Sequence, residues 1–121
     1  MSISLLIVDD SEFSRNMIKR ALPSNWDVVV DEASSGHEAL EYCNSLQFDV
    51  IFLDLTMPDV DGLEVLLALS QRNYQSKIFV ISADIQPSSK EMSLQRGALD
   101  FLPKPVDVDN LAAMLLRHEV L

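Results

Sequence analysis

The sequence predicts an α/β fold built on a doubly wound parallel sheet. Two observations carry this prediction: five short apolar runs rich in branched residues, and a helical pattern after each run. The runs lie at 3–8, 28–30, 50–53, 78–81 and 98–102. They are too short for helices and continuously apolar, as is typical of strands buried on both faces. Five strand and helix pairs favour a parallel sheet covered on both sides, in one domain spanning 1–121.

The first three helices are predicted from apolar periodicity and end signals. Apolar residues recur every four positions from Phe13 and stop at Pro23, which ends the first helix. Ser35 and Glu38 have the spacing of a capping box, in which each side chain bonds the other residue's backbone N–H. They therefore open the second helix. A third helix is expected over 61–72.

The last two helices carry clear start and stop signals. Pro87 lies in the first turn of a helix over 87–96, and Gly97 terminates it. Asp107 caps a fifth helix that runs from 108 to about 118. The single cysteine, Cys43, falls on an apolar helical face and is expected to pack in the core.

Composition excludes several classes of function. With 19 acidic against 9 basic residues the formal net charge is −10, so direct nucleic-acid binding is not expected. No apolar stretch approaches the roughly 20 residues of a membrane span, and the N-terminus lacks the basic segment of a signal peptide. We therefore expect a cytoplasmic protein with no membrane contact.

Four apolar runs end in a polar group. Asp9 and Asp10 follow the first run, Asp54 the third, Ser82 the fourth and Lys104 the fifth. The carboxyl ends of parallel strands share one edge of a sheet, and ligands of such sheets bind beyond that edge. These side chains are therefore predicted to form one site suited to a metal ion and a phosphoryl group.

The order and spacing of these elements resemble the receiver domain of two-component response regulators over essentially the whole chain. The elements that match are Asp9, Asp10, Asp54, Met57, Pro58, Gly62, Ser82, Ala83, Phe101, Lys104 and Pro105. The resemblance implies a flavodoxin-like (βα)5 fold with strand order 2-1-3-4-5. It also implies a phosphorylation-dependent switch that accepts a phosphoryl group from a sensor histidine kinase or a histidine phosphotransfer protein.

The chemistry of the residues agrees with this resemblance. Asp54 is the candidate phosphoacceptor, since a carboxylate can attack phosphorus and form an acyl phosphate. Three acids beside one lysine leave negative charge uncompensated, so a divalent cation is required. Hard oxygen ligands favour Mg²⁺, with Mn²⁺ as a substitute. By resemblance, Asp10, Asp54 and the backbone carbonyl of Thr56 bind the ion, and Asp9 helps directly or through water.

The remaining roles also follow from the resemblance. Lys104 is expected to pair with Asp54 and then with the phosphoryl group, and its bond to Pro105 is expected to be cis. Ser82 is the switch hydroxyl, and Phe101 takes the place of an aromatic that turns inward. Thr56 and Asp84 occupy positions that tune the phosphoryl lifetime. The chain is then no enzyme, since it promotes only its own phosphorylation and slow dephosphorylation.

The fifth helix predicts an output surface. Its six consecutive apolar residues exceed what a helix on a sheet buries, so some should be exposed. Met114, Leu115 and Leu116 are the candidates. The resemblance implies that, with the fourth helix and fifth strand, they dock a downstream protein or a second copy of the chain.

Three other functions compete with the switch. A phosphatase similar to the haloacid dehalogenases needs an aspartate two residues after its nucleophile, where this chain has Thr56. A flavin carrier would set its phosphate against Asp9 and Asp10. An interaction module independent of phosphorylation does not explain the intact acidic site, but the sequence leaves it open.

Overall fold

The computed structural model describes residues 2–121 and contains five strands alternating with five helices. The strands are β1 (Ile3–Val8), β2 (Val28–Ala33), β3 (Val50–Leu53), β4 (Lys77–Ser82) and β5 (Asp100–Pro103). The helices are α1 (Glu12–Ala21), α2 (Gly36–Ser45), α3 (Gly62–Gln71), α4 (Pro87–Gln95) and α5 (Val108–Arg117). Among the described residues, no helix has both the length and the hydropathy needed to cross a bilayer.

All neighbouring strands pair in parallel, in the order β2-β1-β3-β4-β5. This confirms the order that the resemblance implied. The carboxyl ends of β1, β3, β4 and β5 therefore lie side by side. Backbone bonds carry the ladder past the strand ends, because Asp54 N–H donates to the Val8 carbonyl and Lys104 N–H to the Ser82 carbonyl, each at 3.0 Å.

Helices cover both faces of the sheet, as the predicted doubly wound fold requires. Side chains of β1 alternate between two buried clusters, with Leu6 on one face and Ile7 on the other. The first cluster includes Cys43 of α2 and Leu66 of α3, and the second includes Ile18 of α1 with the buried side of α5. Cys43 is thus core packing, as its position on an apolar helical face predicted.

The edge strand β2 departs from the sequence prediction. It continues beyond residue 30 to Ala33, and its residues alternate in exposure instead of being buried on both faces. Val29 is 57% exposed although it lies in the apolar run. The reason is its position at the edge of the sheet, where only β1 lies beside it.

Only one of the two hydrogen bonds predicted for the capping box of α2 forms. Ser35 Oγ accepts from the Glu38 N–H at 3.0 Å, but the Glu38 carboxylate accepts from Ser34 N–H and not from Ser35. A complete capping box instead opens α3, where Asp61 and Glu64 each accept from the other's backbone N–H. At α2, the bond to the Glu38 carboxylate therefore comes from Ser34, one residue before the position that the capping box predicted.

The predicted surface on α5 is wrong for two of its three residues. Met114 and Leu115 are completely buried, whereas Leu116 is 59% exposed. Met114 and Leu115 lie on the side of α5 that faces the sheet, together with Leu111. The apolar run is thus mostly core, because α5 packs more of its circumference against the sheet and α1 than the prediction assumed.

Candidate functional site

The loop after β1 presents two aspartates in different environments. Asp9 is 1% exposed, and its Oδ1 accepts from the Ser11 N–H at 3.0 Å. Its Oδ2 lies 2.6 Å from Lys104 Nζ. Asp10 is exposed, and within residues 2–121 its side chain makes no hydrogen bond or ion pair with another residue. The pair therefore consists of one fixed carboxylate and one that solvent reaches.

Asp54 joins this pair from the end of β3. Its carboxylate is 6% exposed, and Asp9, Asp10 and Asp54 each offer an oxygen that lies within 4.8 Å of the other two. Oxygen atoms of carboxylates are the ligands that Mg²⁺ prefers, and the exposed Asp10 leaves room for the waters that this ion retains. The residues present thus fit the cation that the sequence predicted.

Lys104 is closer to Asp9 than to the expected partner. Its Nζ is 2.6 Å from an Asp9 oxygen and 3.6 Å from Asp54 Oδ2. One ammonium therefore lies between two buried carboxylates. The Lys104–Pro105 bond is cis, as the resemblance implied.

Burial raises the pKa of the Asp54 carboxyl above its usual value. The Lys104 charge opposes this rise, the neighbouring Asp9 carboxylate adds to it, and Ser82 and the Thr56 backbone N–H oppose it. The net direction is upward. The site therefore contains a carboxylate whose charge the protein alone does not fully stabilise, which is a property common at functional sites.

The loop after Asp54 is held tightly against α3. Gly62 N–H donates to the Leu55 carbonyl at 3.0 Å. A methyl group at Gly62 would overlap the Asp54 carbonyl oxygen and lie 2.7 Å from the Leu55 Cα. Within this loop Met57 is buried, while Thr56 is exposed. Gly62 therefore lets the start of α3 approach the backbone that carries Asp54.

Ser82 lies at the end of β4 and is completely buried. Its hydroxyl oxygen accepts from the Asp84 N–H at 3.1 Å. The Asp84 carboxylate accepts in turn from Ser89 Oγ of α4 at 2.8 Å. Phe101 is half-buried and packs against the core face that α2 and α3 cover. The Ser82 hydroxyl is thus connected to α4 through Asp84, a link that the sequence did not reveal.

Arg15 was missed by the sequence analysis. Its guanidinium donates to the Asp9 carbonyl oxygen at 2.8 Å and pairs with Glu32 of β2 at 2.9 Å. An arginine on an amphipathic helix that also carries Lys19 and Arg20 resembles any solvated charge, so no local pattern distinguishes it. Its position one turn after Ser11, which caps α1, is the one signal that it lies beside the acidic loop.

A doubly wound sheet with this arrangement of acids, lysine and serine defines a class of regulatory phosphoacceptor domains. The family model of the response regulator receiver domain matches residues 5–116. The chain therefore belongs to the response regulator receiver domain family. Members of this family are phosphoacceptor regulators of two-component systems, act as phosphorylation-dependent switches and bind Mg²⁺ at an acidic pocket.

Individual relatives agree with this assignment. The chain is 39% identical over 111 residues to chemotaxis protein CheY of Bacillus subtilis, covering 92% of each chain. It is 36% identical to CheY of Listeria monocytogenes, covering 93% of this chain and 95% of the relative.

Solved structures of receiver domains and of CheY also share the fold of this chain. The receiver domain of the response regulator NarL from Mycobacterium tuberculosis has a TM-score of 0.85 at 30% identity, covering 97% of this chain and 95% of that one. CheY in the CheX-CheY-BeF3-Mg²⁺ complex from Borrelia burgdorferi has a TM-score of 0.86 at 28% identity, covering 98% and 90%.

Proposed function

We propose that Asp54 is the residue of this chain that accepts the phosphoryl group, from a phosphohistidine of a sensor kinase or phosphotransfer protein. The observation that carries the proposal is the position of its carboxylate at the end of β3, beside Lys104 and within 4.8 Å of two further carboxylates. A carboxylate oxygen of Asp54 attacks phosphorus, and the P–N bond breaks with its electron pair passing to the imidazole nitrogen.

Asp9, Asp10, Asp54 and the Thr56 carbonyl would hold Mg²⁺, or Mn²⁺ in its place. When bound, the ion supplies positive charge against the phosphoryl oxygens. Lys104 supplies a second positive charge from just beyond the end of β5, and its present bond to Asp9 leaves it 3.6 Å from Asp54. Charge neutralisation and alignment are the main demands of phosphoryl transfer, so the residues suit this step.

The switch is proposed to run through Ser82 and Phe101. A phosphoryl group on Asp54 offers new acceptor oxygens to the Ser82 hydroxyl, which now accepts from the Asp84 N–H. Movement of Ser82 would leave space for Phe101 to turn inward from its half-buried position. Thr56 and Asp84 would set the phosphoryl lifetime, with Asp84 constrained by its bond to Ser89.

The acceptor is tested with Mg²⁺ and a small acyl phosphate, followed by intact mass measurement. Wild type should gain a phosphoryl-sized mass, and Asp54→Asn should not. Asp59→Asn makes the same change at an exposed residue of the same loop and should behave as wild type. An unmodified wild type would contradict the proposal. Steady phosphate release from unrelated esters would favour the phosphatase instead.

The output surface is proposed to lie on α4, β5 and α5, with the exposed Leu116 as its apolar residue near the end of α5. Phosphorylated protein should then bind a downstream partner or a second copy through this face. Leu116→Glu should abolish any phosphorylation-dependent dimer seen by sedimentation velocity. Leu67→Glu is the matched control, because Leu67 is a similarly exposed leucine on α3, outside this face. Loss of the dimer in both variants would contradict the assignment.

A further inference from the structure

Arg15 makes two charge-assisted contacts beside the acidic loop. Its Nη1 donates to the Asp9 carbonyl oxygen at 2.8 Å, and its Nε lies 2.9 Å from Glu32 Oε1. The Arg15 side chain is only 14% exposed, so these contacts are largely shielded from water. A guanidinium that donates in two directions from a partly buried position has little freedom to move.

The Asp9 carbonyl belongs to the peptide that joins Asp9 to Asp10. A bond to its oxygen restrains the plane of that peptide, and with it the Asp10 N and Cα atoms from which the Asp10 side chain leaves the backbone. Asp9 has further restraints, since its carboxylate bonds Ser11 and Lys104. The Asp10 side chain makes no such bond within residues 2–121. The orientation of Asp10 therefore depends on the backbone that Arg15 holds.

Glu32 secures Arg15 from the neighbouring strand. Its second oxygen lies 2.8 Å from Lys19 Nζ. The hydrogen bond from Lys19 is the largest influence that lowers the pKa of Glu32; burial works against it and Arg15 adds to it. Glu32 is thus an ionised anchor on β2, paired in register with Ile7 of β1. Strand β2, helix α1 and the loop after β1 are joined at this point.

We propose that Arg15 is a positioning residue for Mg²⁺ binding. It holds the Asp9–Asp10 peptide so that the Asp10 carboxylate stays close to those of Asp9 and Asp54. The inference rests on the proposed function, because it assumes that these three aspartates bind the ion. Arg15, which lies outside the acidic cluster, thus contributes to the affinity for the ion.

The sign of the effect separates positioning from simple electrostatics. Removing a positive charge near three carboxylates strengthens their attraction for a cation, so a purely electrostatic role predicts tighter Mg²⁺ binding without Arg15. A positioning role predicts weaker binding, because the carboxylates lose their relative placement. Substituting residues that orient metal ligands weakens metal affinity by about tenfold or more.

The test compares Arg15→Met and Arg15→Lys with Lys19→Met. Lys19 is the matched control, since it is on the same helix and pairs with the same Glu32 but does not contact the acidic loop. Mg²⁺ affinity is measured by competition with Mn²⁺, whose free ion gives an electron paramagnetic resonance signal. We expect Arg15→Met to weaken Mg²⁺ binding by about tenfold. Lys19→Met should bind as tightly as wild type or slightly more tightly.

Arg15→Lys keeps the charge but replaces the guanidinium with a single ammonium, which cannot reproduce the contacts to both Glu32 and the Asp9 carbonyl. It should also weaken binding, and it keeps the test valid if Arg15→Met does not fold. Amide NMR shifts of Asp9 and Asp10 without metal should change in Arg15→Lys and not in Lys19→Met. Thermal unfolding in a chelator measures any purely structural loss separately.

The possible failures are distinguishable. If wild type binds no Mg²⁺, or Asp10→Asn binds it as tightly as wild type, the proposed metal site itself fails and the inference with it. If Asp10→Asn loses binding but both Arg15 variants bind as tightly as wild type or more so, the positioning role alone is overturned. Equal weakening in Lys19→Met would also overturn it, because loss of the Glu32 network and not of the carbonyl bond would then be responsible.

Discussion

At the scale of single residues, Asp54 combines burial with a net upward shift of its pKa. Burial is the largest cause, and the Asp9 carboxylate adds to it despite the opposing charge of Lys104. A folded-state pKa above the unfolded value means that the folded protein binds the proton more tightly. Stability therefore falls as pH rises from the usual aspartate pKa through the raised value, and it stays lower above that interval.

Without Mg²⁺ at neutral pH, Asp54→Asn should raise the melting temperature. The amide keeps the shape of the side chain but removes a charge that the folded state disfavours, so the rise should be on the order of a few °C. The difference from wild type should narrow as pH falls toward the usual aspartate pKa. Asp31→Asn, at an exposed position of β2, should show no such rise. A lower melting temperature in Asp54→Asn would mean that Lys104 outweighs burial.

At the scale of elements, the packing of α3 against the loop after β3 sets the position of Asp54. Gly62 contributes the absence of a side chain, since a Cβ there would meet the backbone of Asp54 and Leu55. Gly97 differs, because it has a φ of 107° and nothing lies within 4 Å of the added Cβ. The two glycines are therefore required for different physical reasons.

Gly62→Ala should lower stability by about 1 to 3 kcal/mol through overpacking and reduce phosphorylation by acyl phosphate. Gly97→Ala should cost a similar amount, about 1 to 2 kcal/mol, through its backbone conformation alone. Phosphorylation should remain intact in Gly97→Ala. Denaturant unfolding and intact mass report the two quantities. Equal phosphorylation of both variants would show that Gly62 does not affect the acceptor.

A second element contact ties β5 to the end of α5. Asp100 Oδ2 lies 2.7 Å from Arg117 Nη2 and 2.9 Å from His118 Nε2. Burial alone would raise the pKa of Asp100, but hydrogen bonds from Arg117, His118 and the Phe101 N–H outweigh it and lower the pKa. The ionised form is therefore favoured in the folded state, and its contribution is lost as pH falls through the lowered folded-state pKa.

Asp100→Asn should destabilise the protein by about 1 kcal/mol at neutral pH, since charge-assisted bonds to a partly exposed carboxylate are lost. The loss should persist down to the usual aspartate pKa and shrink below it, where wild type also loses the charge. Urea unfolding across this pH range measures the difference. A pH-independent loss would indicate that packing and not charge is responsible.

The elements also show what a sequence can predict. Strands β1, β3 and β4 are central, so their apolar runs matched the structure closely. The run at β2 did not match, because this edge strand continues through the polar residues Asp31 and Glu32. An apolar run does not reveal such an extension. On α5 the run of apolar residues was visible, but which of them face the sheet depends on the helix rotation, and Met114 proved to be core.

At the scale of the whole molecule, convergence of the site follows from parallel topology, which the alternating pattern predicted. Strand order came only from the resemblance, since composition does not specify which strands are neighbours. Individual side-chain contacts were not predictable, including the preference of Lys104 for Asp9 and the bond from Arg15 to the Asp9 carbonyl. Such contacts depend on side-chain reach after folding, which no local spacing encodes.

The net charge of −10 makes the stability of the fold sensitive to salt. Any salt should stabilise the fold somewhat, because it screens the repulsion among the acidic residues. An ion that binds only the folded state adds a further term to the free energy of unfolding. At a hundredfold excess over its Kd, that term is about 2.7 kcal/mol. MgCl₂ should therefore raise the melting temperature of wild type more than NaCl at equal ionic strength. Asp10→Asn should abolish the excess and keep the general salt effect, because it removes the exposed carboxylate of the proposed metal site while leaving Asp9 and Lys104 paired. Equal stabilisation by the two salts in wild type would mean that the three carboxylates respond to ionic strength alone.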